Sequence, residues 1–204
     1  MDTKLNFINR SSSDNLNIVI YQRNPAEPLD LSTAWMVIPN SQPGWSHPFT
    51  FPSALEVGAT DSYGNNTFSR MSAKSGELFH VGEGHTGMEL SLAGPAMNKK
   101  NIEVRNNLSR GSVDINIYRD GKLLGSKTNV SPAQKASFCF NKTLWIGVVE
   151  DVQEGSVLNQ AIQSQITRRI PLLGIHSADI VLTGGGSGTK TTPFKFRLQH
   201  VKRA

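Results

Sequence analysis

The chain has 204 residues, of which 37% are apolar, and its formal net charge at pH 7 is +5. This composition is that of a globular protein and excludes disorder over most of the chain. No run approaches the roughly 18 consecutive apolar residues of a membrane-spanning helix. The first residues, MDTKLNFINRSSS, lack the apolar core of a secretory signal. We therefore expect a cytoplasmic protein, or one released without an N-terminal signal peptide.

Basic and acidic residues are distributed unevenly along the chain. Residues 1–98 hold five basic and nine acidic residues, a net charge of −4, whereas residues 99–204 hold sixteen and seven, a net charge of +9. Such a difference between halves is typical of a protein with an anionic partner, although a solvated basic surface without a partner gives the same count. The basic residues that we expect to contact an anionic partner are Arg105, Arg110, Arg119, Lys122 and Lys127.

Short strands separated by polar turns are predicted along the first half of the chain. Leu16, Ile18 and Ile20 recur at every second position, which is the period of a half-buried strand. The predicted strands cover residues 4–9, 16–22, 31–38, 54–60, 67–71, 77–81 and 88–93.

Residues 40–52, NSQPGWSHPFTFP, form the candidate contact segment. Three prolines and a glycine exclude a helix and disfavour a central strand. Aromatic side chains in a stiffened segment present a large contact area at low entropic cost. The alternative is that these alternating side chains close the end of a sandwich. The candidate contact residues are Trp45, His47, Phe49 and Phe51.

The second half is also predicted to consist of strands, with one exception. Asp120-Gly121 between two alternating runs indicates a tight hairpin. Further strands are predicted at residues 136–140, 144–149 and 172–182, and a last one at 193–201. Leu158, Ile162 and Ile166 recur at every fourth position, which predicts one short amphipathic helix near residues 155–168.

Part of the sequence occurs twice. Residues 7–21, FINRSSSDNLNIVIY, resemble residues 104–118, VRNNLSRGSVDINIY, and Asn9 corresponds to Asn106. Two shorter correspondences follow in the same order, Trp35 with Trp145 and Ser53 with Ser177. Self-similarity over about a hundred residues indicates two related domains, since solenoid repeats have periods of roughly 20–50 residues.

No motif in the sequence carries a recognisable chemistry. In residues 183–191, TGGGSGTKT, a threonine and not a glycine precedes the lysine, so a phosphate-binding loop is not favoured. His80 and His85 lack the spacing of zinc ligands. The single cysteine, Cys139, excludes an internal disulfide and lies in an alternating run typical of a structural thiol. We predict no catalytic set, no metal and no cofactor.

These features predict an all-β, mostly antiparallel fold of the β-sandwich type. Two related lobes are expected, an acidic one at residues 1–98 and a basic one at 99–204, the second a divergent repeat of the first. The favoured function is non-enzymatic binding or assembly, with self-association.

Two other functions stay open. The first alternative is a membrane-active protein of the soluble-toxin kind. Its aromatic segment would anchor in an anionic lipid surface that the basic half attracts. The second is a hydrolase on an all-β scaffold. Nucleic acid is not favoured, because residues 99–204 hold only six aromatic residues for stacking.

Overall fold

The computed structural model describes residues 2–61, 69–84, 87–159 and 167–204. Within these residues the chain is almost entirely β-strand, with one 3-10 turn at Gly188–Lys190, so the predicted all-β fold is confirmed. No helix in the described part of the chain is long and apolar enough to cross a membrane. The strands are β1 (Thr3–Asn9), β2 (Leu16–Tyr21), β3 (Ala34–Ser41), β4 (Ser46–Phe51), β5 (Leu55–Asp61), β6 (Met71–Ala73), β7 (Glu77–Gly84), β8 (Gly87–Pro95), β9 (Ile102–Asn106), β10 (Val113–Arg119), β11 (Lys122–Val130), β12 (Lys135–Phe138), β13 (Thr143–Val149), β14 (Thr167–Pro171), β15 (Ile175–Gly185) and β16 (Thr192–Arg203).

The helix predicted near residues 155–168 is wrong wherever the structure describes that stretch. Val157 forms a β-bridge with Thr33, and residues 167 and 168 belong to β14. Residues 160–166 lie outside the described part of the chain. The bridge exists because Leu158 is fully buried on the face of β2 that carries Val19 and Tyr21. Burial of Leu158 and backbone hydrogen bonds to residues 32–34 thus hold the segment against the sheet in an extended form.

Contacts divide the chain into two compact units that differ from the predicted lobes at residues 1–98 and 99–204. Unit 1 consists of residues 1–22, 31–53 and 142–204, and unit 2 of residues 23–30 and 54–141. Each unit therefore takes strands from both halves of the chain. The reason is strand pairing: β1 pairs with β15 and β2 with β13, whereas β5 pairs with β10 and β7 with β9.

Unit 1 contains two four-stranded sheets, with strand orders β16-β15-β1-β4 and β14-β13-β2-β3. β1 and β15 run parallel, and the other neighbours are antiparallel. The two sheets pack on each other, since Trp35 on β3 meets Phe51 on β4 edge to face with ring centroids 5.5 Å apart. Fully buried side chains of this unit include Phe7, Ile18, Ile20, Trp35, Leu144, Ile146 and Ile180.

Unit 2 also contains two four-stranded sheets, with strand orders β12-β9-β7-β8 and β11-β10-β5-β6. Here β7 and β9 run parallel and the other neighbours are antiparallel. In β10 every second side chain is buried, as the alternation in the sequence predicts. Side chains that are at most 1% exposed in this unit include Val57, Phe79, Val81, Val104, Ile115, Ile117 and Leu124.

The two units have the same topology. Replacing β9, β10, β11 and β12 by β1, β2, β3 and β4, and β5, β6, β7 and β8 by β13, β14, β15 and β16, converts one set of sheets into the other. The parallel pair falls at the equivalent place in both units. The chain is thus a repeat of eight strands, β1–β8 and β9–β16, in which each unit combines four strands of one copy with four of the other.

One sequence correspondence is confirmed and two are wrong. Asn9 and Asn106 end the equivalent strands β1 and β9, so the first correspondence is sound. Trp35 lies on β3, whose counterpart is β11, but Trp145 lies on β13. Ser177 lies on β15, whereas Ser53 lies between β4 and β5. Short strand-like segments therefore matched without structural equivalence.

The strand pairings show where the second correspondence actually lies. Equivalent neighbours in the sheets align residues 40–59 with residues 129–148 without a gap. Six of these twenty positions are identical. Both stretches begin in one unit and end in the other, crossing at residues 53–54 and 141–142. The crossover is therefore itself part of the repeated sequence.

A buried asparagine fixes the same corner in each unit. The Asn9 amide donates to the Ser41 carbonyl at 3.0 Å, and the Asn106 amide to the Val130 carbonyl at 2.9 Å. Each side-chain oxygen accepts from the backbone N–H two residues later, at 2.9 and 3.0 Å. Both asparagines are fully buried. Their hydrogen bonds join the end of a strand in one sheet to the end of a strand in the facing sheet.

Candidate functional site

The candidate contact segment, residues 40–52, comprises the end of β3, the turn that follows it and β4. The backbone of this turn is fixed by Asn9, whose N–H donates to the Trp45 carbonyl at 3.0 Å and whose carbonyl accepts from Gly44 at 2.7 Å. Gly44 has a φ of +82°, a conformation in which glycine is the least strained residue. The turn therefore holds Trp45 in a defined position, and its indole is 53% exposed.

The other three predicted contact residues point into unit 1. His47, Phe49 and Phe51 lie opposite Phe7, Leu5 and Thr3 on β1, all of which are buried. Phe51 is only 3% exposed, so its assignment as a contact residue is corrected. His47 and Phe49 are half-buried. The alternation of aromatic residues in this segment therefore arises from an edge strand, β4, that closes the sandwich. Pro48 is tolerated there because β4 has one hydrogen-bonded neighbour in the described chain.

His47 lies between an exposed ring and a buried ring. Its imidazole centroid is 6.2 Å from that of Trp45 and 6.3 Å from that of Phe7. Its Nε2 atom is buried and has no hydrogen-bond partner in the described structure. Trp45 is thus the exposed end of an aromatic row that continues into the core.

The five basic residues predicted to bind an anionic partner do not form one patch. Arg119 was expected to be solvated but is only 3% exposed, and burial lowers its pKa to about 10. Arg110 precedes β10 and Lys122 follows it, so the two lie at opposite ends of that strand. Arg105 is exposed on β9, in the other sheet of unit 2.

Lys127 is occupied by acidic neighbours within unit 2. Its ammonium group lies 2.8 Å from Asp30 and 3.7 Å from Glu27. The hydrogen bond to Asp30 raises the pKa of Lys127, despite the opposing effect of burial. These ion pairs join residues 23–30 to β11 and help to hold this short segment in unit 2.

The net charges of the two compact units differ much less than those of the two halves of the sequence. Unit 1 holds ten basic and six acidic residues, a net charge of +4, and unit 2 holds eleven and ten, a net charge of +1. The values of −4 and +9 for the two halves of the sequence therefore describe no compact body. The largest opposition of charge between equivalent strand pairs lies in two equivalent hairpins.

These hairpins are β7–β8 in unit 2 and β15–β16 in unit 1. The strands of the first carry Glu77, Glu83 and Glu89 and no lysine or arginine. The strands of the second carry one acidic residue, Asp179, and four basic residues. Their net charges are −3 and +3. Composition by halves could not reveal this contrast, because it depends on which strands are equivalent.

Strand β8 is also unusually exposed for an apolar strand. It forms an edge of its sheet, and Leu92 is 54% exposed. Met88 and Leu90 are half-buried, and Met97, which follows the strand, is 91% exposed. An uncovered apolar edge strand is a ready template for pairing with another chain. We therefore treat the β8 edge as a second candidate surface.

Groups typical of catalysis or metal binding are not assembled in the described residues. No three His, Cys, Asp or Glu side chains there are grouped as metal ligands would be. His80 lies on β7, while His85 is outside the described chain. Burial raises the pKa of the Cys139 thiol. The glycine-rich residues 183–191 connect β15 to β16, and the Gly186 N–H donates to Ser13 Oγ at 2.9 Å.

Fold and surfaces define an all-β protein of two interleaved, topologically equivalent sandwich units. Residues 2–178 match the RhiA family, and the chain belongs to that family. No curated protein and no solved structure matches the chain.

Proposed function

We propose that this protein is a non-enzymatic assembly protein that self-associates through exposed sheet edges. The observation that carries the proposal is the β8 edge, where a nine-residue strand with half-exposed apolar side chains has a hydrogen-bonded neighbour on one side only in the described chain. Soluble proteins usually shield such an edge with lysine, proline or a bulge. On β8 this protection is limited to its last residues, where the register with β7 shifts near Leu92 and Pro95 ends the strand.

The mass of the native protein in solution tests the proposal. Sedimentation velocity or light scattering should give a mass that rises above 22.3 kDa with protein concentration. Leu92→Lys should return the mass to that of the monomer, because it places a charge in the apolar edge. Leu173→Lys is the matched control, since Leu173 is 80% exposed in unit 1, and should associate like the wild type. A mass of one chain at every concentration would refute assembly.

A second function is supported by Trp45. A half-exposed indole held rigidly on a turn is suited to the interface of a lipid bilayer, where amphipathic rings partition. Unit 1, which carries this turn, has the net charge of +4 that would attract anionic lipid.

Vesicle binding separates this function from the first. The membrane hypothesis predicts co-flotation with phosphatidylserine vesicles that fades as salt increases and is lost in Trp45→Ala. Leu31→Ala, at a residue that is 44% exposed in the same unit, should leave flotation unchanged. Equal flotation of the wild type and Trp45→Ala would exclude the turn as the anchor.

A further inference from the structure

The two oppositely charged hairpins differ in how well their apolar faces are covered. On β8, Leu90 and Leu92 lie opposite Val81 and Phe79, which are buried, so the leucines lie on the core-facing side of the sheet. Leu92 is nevertheless 54% exposed. On the core-facing side of β16, Phe196 is only 6% exposed, and Leu198, the equivalent of Leu92, is half-buried. The apolar side of the sheet is therefore better covered at β16 than at β8.

The neighbouring sheet also differs between the units. In unit 1, β14 is five residues long and contacts β16. Its counterpart β6 in unit 2 is three residues long within the described chain. With Leu92 54% exposed, the β8 edge carries apolar surface that a further strand could cover.

Both edges have a regular stretch that could accept a further strand. β8 keeps an unbroken register with β7 over residues 87–92, and β16 keeps one with β15 over residues 195–199. Beyond these stretches, register shifts interrupt both ladders. Irregular ladders discourage pairing, so contact with another chain is confined to the regular parts.

Charge selects between the possible pairings of these edges. Two copies of the β15–β16 hairpin would bring together two charges of +3, and two copies of the β7–β8 hairpin two charges of −3. Like charges at an interface disfavour pairing, whereas opposite charges steer association and fix its register. Only the mixed pairing of β8 with β16 places opposite charges together.

We propose that β8 of one molecule pairs with β16 of a second molecule, so that sheet β12-β9-β7-β8 continues into sheet β16-β15-β1-β4 of its neighbour. This inference rests on the proposed assembly function and specifies the surfaces that carry it. The contact is heterologous, because the two molecules contribute different edges to it. Such contacts produce rings when the rotation closes and open filaments when it does not.

Disulfide trapping tests the pairing directly in the full-length chain. All variants carry Cys139→Ser, which removes the one native thiol. Ser91→Cys places a thiol on the exposed face of β8, and Lys195→Cys, Arg197→Cys or Gln199→Cys places one on the corresponding face of β16. The Ser91→Cys protein carries a mass label and is mixed with each β16 variant under mild oxidation. Mixed and homodimeric disulfides are then separated by mass.

The proposal predicts a mixed disulfide between Ser91→Cys and at least one of the β16 variants, in excess of both homodimers. A Ser91→Cys homodimer without a mixed product would overturn it, because β8 would then pair with β8. An increase in mass without any of these disulfides would also overturn it and leave assembly intact through another surface. A monomeric wild type would end both proposals together.

Charge reversal gives an independent readout. Glu89→Lys and Arg197→Glu, each in the otherwise wild-type protein, should weaken association. An equimolar mixture of the two variants should associate again, because β8 of the first variant and β16 of the second carry opposite charges. Glu150→Lys, at an exposed residue of unit 1 outside both hairpins, is the control and should associate like the wild type. Failure of the mixture to associate better than either variant alone would contradict the pairing of these two strands.

Discussion

At the residue scale, the buried side chains of Asn9 and Asn106 join the ends of strands in facing sheets by hydrogen bonds. The Asn106 amide donates to the Val130 carbonyl at 2.9 Å and to the Gly111 carbonyl at 3.0 Å, and its oxygen accepts from the Leu108 N–H. Leu108 and Gly111 belong to the turn between β9 and β10, and Val130 is the last residue of β11. A buried backbone group without a hydrogen bond is costly.

Asn106→Ala should therefore lower the free energy of unfolding by about 2–4 kcal/mol, from roughly 1–3 kcal/mol for each strongly buried group left unsatisfied. The neighbouring Asn107→Ala is the control, because Asn107 is exposed, and its effect should stay within about 0.5 kcal/mol. Denaturant unfolding followed by circular dichroism measures both. Equal effects would mean that the corner does not depend on the buried amide.

Glu103 makes the stability of the fold depend on pH. Burial raises the pKa of this carboxyl group, but the hydrogen bonds from Lys135 and from the Met97 and Asn98 N–H groups outweigh burial and hold the pKa below its usual value of 4.5. A carboxyl whose pKa is lower in the folded state stabilises the protein above its unfolded-state pKa. That contribution is lost as the pH falls through the folded-state value.

We expect Glu103→Gln to flatten the loss of stability below about pH 4.5, because a glutamine does not take up a proton there. Lys135→Gln should also reduce this loss, because without the Lys135 ammonium 2.7 Å from the carboxylate the folded-state pKa of Glu103 rises towards its unfolded-state value. Unfolding midpoints measured across the acid range show both effects. An unchanged profile in Glu103→Gln would assign the acid sensitivity to other groups.

At the element scale, residues 150–159 form an insertion that covers one face of the sheet β14-β13-β2-β3. Leu158 is fully buried with Val19, Tyr21 and Ala34, while the adjacent Val157 is 60% exposed. The Leu158 N–H donates to the Ser32 carbonyl at 2.8 Å. The fully buried Leu158, the partly buried Val152 and the backbone hydrogen bonds thus hold the insertion on the sheet.

Leu158→Ala should cost about 2–5 kcal/mol of stability, as large-to-small substitutions in a core do. Val157→Ala should cost less than about 0.5 kcal/mol, because the side chain is largely in solvent. Thermal or chemical unfolding of the two variants compares adjacent positions on one segment. A similar loss at both would show that the segment is held by its backbone alone.

The elements also show what the sequence can and cannot predict. The alternation of Leu16, Ile18 and Ile20 predicts β2 correctly, because a strand with one face in the core needs this period. The fourfold recurrence that includes Leu158 predicts a helix, but Leu158, the one member of it that the structure describes, is buried against a sheet. Trp35 is fully buried as expected, whereas Trp145 is only half-buried and stacks on Tyr21 at 6.4 Å.

At the scale of the whole molecule, the repeat explains why the domain boundaries could not be predicted. Each set of four strands has two equivalent partner sets in the chain, and the sequence pattern of a strand does not distinguish them. A division at residue 98 assumes that each copy closes on itself. The structure pairs β1–β4 with β13–β16 and β5–β8 with β9–β12 instead. The choice decides which strand adjoins each charged hairpin: the acidic hairpin lies beside β9 and the basic hairpin beside β1.

The interleaving of the two copies is the central claim, and one disulfide experiment tests it most directly. Asn6 on β1 pairs with Asp179 on β15, and the Asn6 amide lies 3.4 Å from the Asp179 carboxylate. A copy that closed on itself would pair Asn6 with Leu78 instead, since Leu78 holds the equivalent place on β7. In a Cys139→Ser background, Asn6→Cys/Asp179→Cys should form an intramolecular disulfide, and Asn6→Cys/Leu78→Cys should stay reduced. A disulfide in the second pair and none in the first would contradict the account.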